Sequence, residues 1–390
     1  MLSLPTDPLG LTSLQWEELA QSRGLPRYRG RQIFDAFQRR LVVDYEGMRE
    51  LPRDLRRTFS EEMPVRLPEV ARREVSADGS TKYGLRLEDG ALIEAVLMPG
   101  ERLHAEVNEF ADARADPGTR EKSDGETGRR GEVSGEKFTV CLSSQTGCAV
   151  DCAFCVTGRL GGGRNLTAGE ILGQLHAVLA DAGRTLEGLR VVFMGMGEPF
   201  LNPSAVLSSL DILFEVVSPR RVTVSTSGIT PAFALFGARP RRPNLAVSIN
   251  ASSDETRTRL MPINTTYPLA GVVDAMRHWP LESRRRITVE YVLIAGVNDS
   301  REDASGLARL LSGMAVKVNL IPLNEDAVYL PGWKRPDEIV IDRFAARLAE
   351  ARVPVTVRRS RGPDASAACG QLKGRTRDVR RTALRAGQHP

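Results

Sequence analysis

The chain has 390 residues, 41% of them hydrophobic, and its 35 glycines bring the share of non-polar residues to about half, the level of a globular protein. Global disorder is excluded, and the length suits two or three structural units or one large α/β barrel with additions. Fifty-four Lys and Arg against 49 Asp and Glu leave a net charge of +5.

That charge is unevenly spread. Ten arginines and five acids fall between Arg23 and Arg57, and nine basic residues face two acids between Thr356 and Pro390. Such a distribution suits a polyanion such as RNA, although Arg-rich helices also serve as plain solvated faces. No apolar run approaches the roughly 18–20 residues of a membrane span. The first residues carry Asp7 and two prolines instead of a basic and then apolar leader. The expectation is a cytoplasmic protein with no membrane contact.

In chain order, residues 1–65 read as a basic helical accessory unit. Thr12 or Ser13 caps a helix that runs to Ser22. Ile33, Phe34, Phe37 and Leu41 recur at helical spacing with Arg31, Arg39 and Arg40 around them, and Pro52 opens another short helix. Residues 66–137 read as a hairpin extension. Lys82–Glu88 alternates, Asp89-Gly90 marks a turn, and Ala91–Met98 is rich in strand formers. Within it, 111–137 is charged, Gly-rich and nearly free of large apolar residues, the composition of a mobile polar loop.

From 138 to 355 strands and helices alternate. The strand candidates are Phe138–Ser143, Arg190–Met194, Val222–Ser225, Asn244–Asn250, Arg286–Ile294 and Ala315–Ile321, and Thr167-x-x-Glu170 is a capping box that opens one of the intervening helices. Six βα repeats predict an α/β fold with a parallel sheet and outer helices, an open sheet or a partial (βα)6 barrel. Chemistry then gathers at the C-terminal ends of the strands. Residues 356–390 form a basic C-terminal segment.

Five cysteines are an odd count, which argues against a disulfide framework. Cys148-x3-Cys152-x2-Cys155 follows the first barrel strand, and three thiolates so close on one loop can hold three irons of a [4Fe–4S] cluster, leaving the fourth open to a ligand. Zinc would call for a fourth Cys or His, which Cys141 or Cys369 would have to supply. None of the four histidines is spaced with another as a metal pair.

The stretches CLSSQTGCAVDCAFC, VVFMGMGEPFLN, VTVSTSGI, VEYVLIAGVND, VNLIPLN and RRSRGPDASAACGQL resemble, in order and over nearly the whole chain, the radical SAM RNA adenine methyltransferases of the RlmN/Cfr type. The resemblance implies a partial radical SAM barrel with a small N-terminal accessory domain. It implies Cys148, Cys152 and Cys155 as cluster ligands, with S-adenosylmethionine (SAM) on the open iron. Gly197, Glu198, Ser225, the stretch Ser248, Ile249 and Asn250, and Asn324 match SAM-contacting positions.

An adenine ring carbon has no lone pair with which to take a methyl group by displacement. The resemblance therefore implies two SAM per turnover. One methylates Cys369; a radical from the second activates that S-methyl group to add to the ring. Cys141 matches the partner that helps remove the ring proton and resolves the adduct through a transient Cys141–Cys369 disulfide, and Glu94 matches the family's proposed proton acceptor. The implied substrate is carbon 2 of adenosine in 23S rRNA, tRNA or both, with carbon 8 as the alternative. Flavodoxin or ferredoxin is the implied electron donor and a monomer the expected state. Two features depart from the pattern: Asn250 stands where most members carry His, and the loop from Pro99 to Phe138 is long. A radical SAM enzyme of another route, or a non-catalytic iron–sulfur or zinc RNA-binding protein, would leave AACGQL, or GMGEP and STSG, without a role.

Overall fold

The computed structural model describes residues 7–100, 136–358 and 371–372. Three helices come first: α1 (Ser13–Ser22), α2 (Arg27–Gln38) and α3 (Arg53–Glu62). Thr12 caps α1 through reciprocal bonds with Gln15. The apolar faces close on an aromatic cluster in which Trp16 meets Phe59 edge-on at 5.8 Å and Phe37 meets Tyr45 at 5.3 Å. Seven of the ten arginines between Arg23 and Arg57 form ion pairs with acids, among them Arg39 with Asp35 and Arg40 with Glu50. Much of the charge concentrated there is thus offset locally, by surface pairs weak enough for phosphates to compete with.

The sheet follows. Strands β1 (Glu69–Val75), β2 (Thr81–Arg86) and β3 (Leu92–Pro99) form an antiparallel meander, and β3 pairs antiparallel with β4 (Phe138–Cys141). From β4 onward every pairing is parallel: β5 (Leu189–Phe193), β6 (Val222–Thr226), β7 (Asn244–Ser248), β8 (Ile287–Leu293), β9 (Val316–Pro322) and β10 (Val355–Val357). The ten strands lie side by side in chain order, so the hairpin extension is continuous with the sheet of the barrel. All six parallel strands expected from the sequence are present; β1 and the three-residue β10 are additions to that expectation.

Helices connect the parallel strands. In chain order these are α4 (Val156–Arg159), α5 (Ala168–Asp181), α6 (Pro203–Val216), α7 (Thr230–Gly237), α8 (Asp254–Leu260), α9 (Leu269–Arg277), α10 (Arg301–Leu310) and α11 (Glu338–Glu350). Thr167 and Glu170 form the expected capping box of α5. The alternation in β8 shows how the layers separate. Ile287, Val289, Tyr291 and Leu293 lie in the apolar core, while Glu290 and Val292, on the other face, line the interior. One core runs from the N-terminal helices through the barrel. Among the described residues no helix is long and apolar enough to cross a membrane.

Candidate active site

The cysteine loop leaves the end of β4 and is held at several points. Thr146 N–H donates to the Arg164 carbonyl at 3.0 Å, Cys148 N–H to Gly161 at 3.1 Å, and Ala153 N–H to Leu260 at 2.8 Å. The next strand end, Gly195-Met196-Gly197-Glu198, packs against the start of this loop. Met196 O accepts from Ser144 N–H at 2.8 Å and from Gln145 N–H at 3.2 Å. Gly197 has φ +95°, and a Cβ there would lie 2.5 Å from Gln145 Cβ, so only glycine fits.

Both strand ends border a cavity of about 180 Å³. On the measure by which one water needs about 10–15 Å³, it admits a ligand of many atoms. Cys148, Cys152, Cys155, Gly197, Glu198, Ser225, Ser248, Asn250 and Asn324 all line it. Residues separated by up to 176 positions in sequence are therefore brought to one site. Ile249 is not among the lining residues; its side chain is fully buried in the core.

Among the described residues, Glu198 is one of two carboxylates in the cavity wall. Its Oε2 accepts from Ser227 N–H at 2.7 Å and from Ser227 Oγ at 2.8 Å, and its Oε1 accepts from Phe200 N–H at 2.9 Å. Burial pushes its carboxyl above the usual range, and these hydrogen bonds work in the opposite direction. A cationic group entering the cavity would offset the same burial cost. Asn250 takes a left-handed backbone, φ +58°, which Asn tolerates better than most side chains. Its Oδ1 accepts from Val292 N–H at 2.8 Å and its Nδ2 donates to Met261 Sδ at 3.1 Å.

Glu94 and Cys141 do not line the cavity, but strand register puts them on its face. Side chains opposite one another across a strand pair share a face. Val96 lies opposite Cys141, Cys141 opposite Val192, and Val192 opposite Thr223. Glu94 is two residues from Val96 and Ser225 two from Thr223, so Glu94, Cys141 and Ser225 all belong to the interior face. Both Glu94 and Cys141 are buried, and Lys82 Nζ lies 3.8 Å from Glu94 Oε1 and 3.0 Å from Glu74 Oε2. Cys369 and most of 356–390 lie outside the described residues, as does nearly all of the 111–137 loop. Leu372, three positions after Cys369, lines the cavity, and its carbonyl accepts from Thr157 Oγ1 at 2.7 Å.

Three buried polar residues in or beside the cavity wall are not among the expected site residues: Lys82, Glu290 and Arg257. Glu290 lines the cavity, and burial raises its carboxyl above the usual range; its Oε1 accepts from Asn319 Nδ2 at 3.1 Å while Oε2 has no hydrogen-bond partner among the described residues.

Among the described residues no three His, Cys, Asp or Glu side chains converge as ligands of a single ion. The three thiols border one wider cavity. Burial pushes Cys148 up to about 12 and Cys152 well above its ordinary range, so both are thiols until a cation joins them. Three soft donors around a roomy, half-enclosed space fit a multi-iron cluster, each thiolate serving a different metal atom.

A partial parallel barrel with three cysteines after its first strand and a glycine–carboxylate turn after its second defines a radical SAM protein, and residues 142–308 match the Radical SAM superfamily. The chain is 40% identical over 373 residues to the dual-specificity RNA methyltransferase RlmN of Geobacter sulfurreducens, covering 95% of this chain and 92% of that one. It is 41% identical over 361 residues to the probable dual-specificity RNA methyltransferase RlmN of Koribacter versatilis, covering 90% and 96%. A radical SAM methyltransferase from Sphaerobacter thermophilus superposes with TM-score 0.80 at 40% identity, over 95% of this chain and 100% of that one. The chain belongs to the RlmN family of radical SAM methyltransferases.

Proposed function

We propose that the protein methylates carbon 2 of adenosine in 23S rRNA and in tRNA, in the cytoplasm, by way of a methylated cysteine. The observation that carries this is the meeting of Cys148, Cys152 and Cys155 with Glu198, Ser225, Ser248 and Asn324 around one cavity. The near-full-length identity to curated dual-specificity RNA methyltransferases supports the substrate.

Cys148, Cys152 and Cys155 would hold the cluster. When bound, the cluster and SAM supply a carbon-centred radical after one-electron reduction. Glu198, fixed by three hydrogen bonds, offers its carboxylate to the ammonium of SAM, and Gly197 leaves backbone room beside it. Cys369 is the methyl acceptor, and no more than about 11 Å of extended chain separates it from Leu372 at the cavity wall. Glu94 takes the ring proton on its carboxylate. Once the adduct has returned its odd electron to the bound cluster, Cys141 Sγ bonds to Cys369 Sγ as the Cys369 Sγ–methylene bond breaks. The carbon keeps that electron pair and takes a proton to become the methyl group, and a two-electron thiol reductant restores the cysteine pair. Two SAM are consumed per turnover, a flavodoxin or ferredoxin delivers electrons, and the chain acts as a monomer. The N-terminal helices and the basic segment 356–390 grip the RNA backbone.

The test is mass spectrometry of nucleosides from rRNA and tRNA incubated with the anaerobically reconstituted enzyme, reductant and SAM. 2-Methyladenosine in both supports the proposal. 8-Methyladenosine, or no methylated adenosine, overturns it.

A further inference from the structure

Arg257, on α8, is fully buried and belongs to no motif used above. All five of its N–H donors are spent, and every acceptor is neutral. Nε donates to the Ile249 carbonyl at 3.2 Å. Nη1 donates to Asn264 Oδ1 at 2.7 Å and to the Tyr267 carbonyl at 3.2 Å. Nη2 donates to the Ser227 carbonyl at 2.6 Å and to the Ser248 carbonyl at 3.4 Å. A guanidinium has five such donors in a fixed fork, so its hydrogen bonding is complete while its charge has no bonded carboxylate. The last residue of the same helix, Leu260, offers its carbonyl to Ala153 N–H, between Cys152 and Cys155. One short helix therefore links the ends of β6 and β7, where Ser227 and Ser248 line the cavity, to the loop that carries the thiols.

A buried cation with no ion-paired partner is costly, and negative charge arriving beside it would offset that cost. A cluster ligated by three thiolates brings that charge, and reduction adds one more electron to it. We propose that Arg257 is a positioning residue with an electrostatic role, fixing the two strand ends beside SAM and stabilising the reduced cluster. The proposal rests on the reading of Cys148, Cys152 and Cys155 as cluster ligands. Burial brings the guanidinium down to about 10, and the nearby Asp254 carboxylate works in the opposite direction, so its charge is only partly offset.

The experiment is a redox titration of the reconstituted protein followed by electron paramagnetic resonance, with iron content and circular dichroism measured on each sample. Arg257→Lys keeps the charge and gives up donors. Arg257→Gln keeps some hydrogen bonding and gives up the charge. Both are expected to bind iron as the wild type does, with the midpoint potential of Arg257→Lys near wild type and that of Arg257→Gln more negative. A wild-type potential in Arg257→Gln, or an equal fall in Arg257→Lys, overturns the electrostatic role. Asp254→Asn covers the case in which Arg257→Gln does not fold. Asp254 Oδ1 accepts from Asn264 Nδ2 at 2.9 Å and Leu269 N–H at 2.8 Å, bonds that an amide oxygen retains. Removing this carboxylate, whose field partly offsets Arg257, is expected to move the potential in the positive direction at low ionic strength; an unchanged potential overturns the role. Iron absent from the wild type overturns the cluster reading instead.

Discussion

Gly197→Ala tests whether the GMGEP turn is clamped against the cysteine loop. The added Cβ would lie 2.5 Å from Gln145 Cβ, 2.7 Å from its Cγ and 2.8 Å from its backbone N. Gln145 cannot retreat freely, because its N–H donates to Met196 O, its Nε2 to Asn165 Oδ1 at 2.7 Å, and its Oε1 accepts from Glu198 N–H at 2.8 Å. Holding alanine at φ +95° costs about 1–3 kcal/mol. Overpacking a fixed neighbour adds about 1–3 kcal/mol. Together about 2–6 kcal/mol is a large part of the roughly 5–15 kcal/mol that holds a folded protein. Gly296 provides the control: its φ is +67° and a Cβ added there would meet nothing within 4 Å, so Gly296→Ala carries only the backbone cost, about 1–2 kcal/mol. Urea unfolding followed by circular dichroism gives both values, and anaerobic equilibrium dialysis gives SAM affinity. Gly197→Ala is expected to be the less stable and to bind SAM more weakly, since the turn must shift and carry Glu198 with it. Equal stability of the two variants, with SAM affinity unchanged, refutes the clamp.

Glu198→Gln places an amide nitrogen either against the two donors of Ser227 or against Phe200 N–H, and removes the negative charge. SAM affinity should fall at least tenfold, about 1.4 kcal/mol, in the same dialysis, and unaltered affinity would remove Glu198 from the ammonium site. Asp7→Asn bears on the join between the N-terminal segment and α5. Burial raises Asp7 to about 6 from 3.8, so the folded state holds its proton more tightly than the unfolded chain does. Its stabilising contribution is present below about pH 4 and is lost as pH rises through about 6. Asn at this position, which keeps an acceptor for Leu9 N–H, should therefore match wild type near pH 4 and exceed it by up to about 3 kcal/mol at pH 7. A difference that does not change with pH in urea unfolding would contradict this.

The parallel strands are legible in the sequence because apolar residues run through them and turn or capping signals bound them, as Thr167 and Glu170 do at α5. The three residues of β10 are too few to show any period. Glu290 is hidden for a different reason. In β8 its alternation with Val289 and Tyr291 looks like that of a strand with one wet face, and only the closure of the helices on the other side reveals that the polar face is the interior. Arg257 and Lys82 are buried charges in segments whose composition reads as solvent-exposed. Cysteine and glycine are the informative residues, since thiol spacing and positive φ leave few substitutes. Within the stretch 248–250, Ser248 and Asn250 line the cavity while the Ile249 side chain packs in the core, an arrangement the motif alone does not reveal.

The central claim, methyl transfer through Cys369 with release by Cys141, is tested most directly by incubating Cys141→Ala with SAM, reductant and RNA and resolving the products on a denaturing gel. A covalent protein–RNA species that nuclease removes, and that Cys369→Ala does not form, is the expected result. Normal turnover by Cys141→Ala, or an adduct that persists when Cys369 is replaced, would contradict the account.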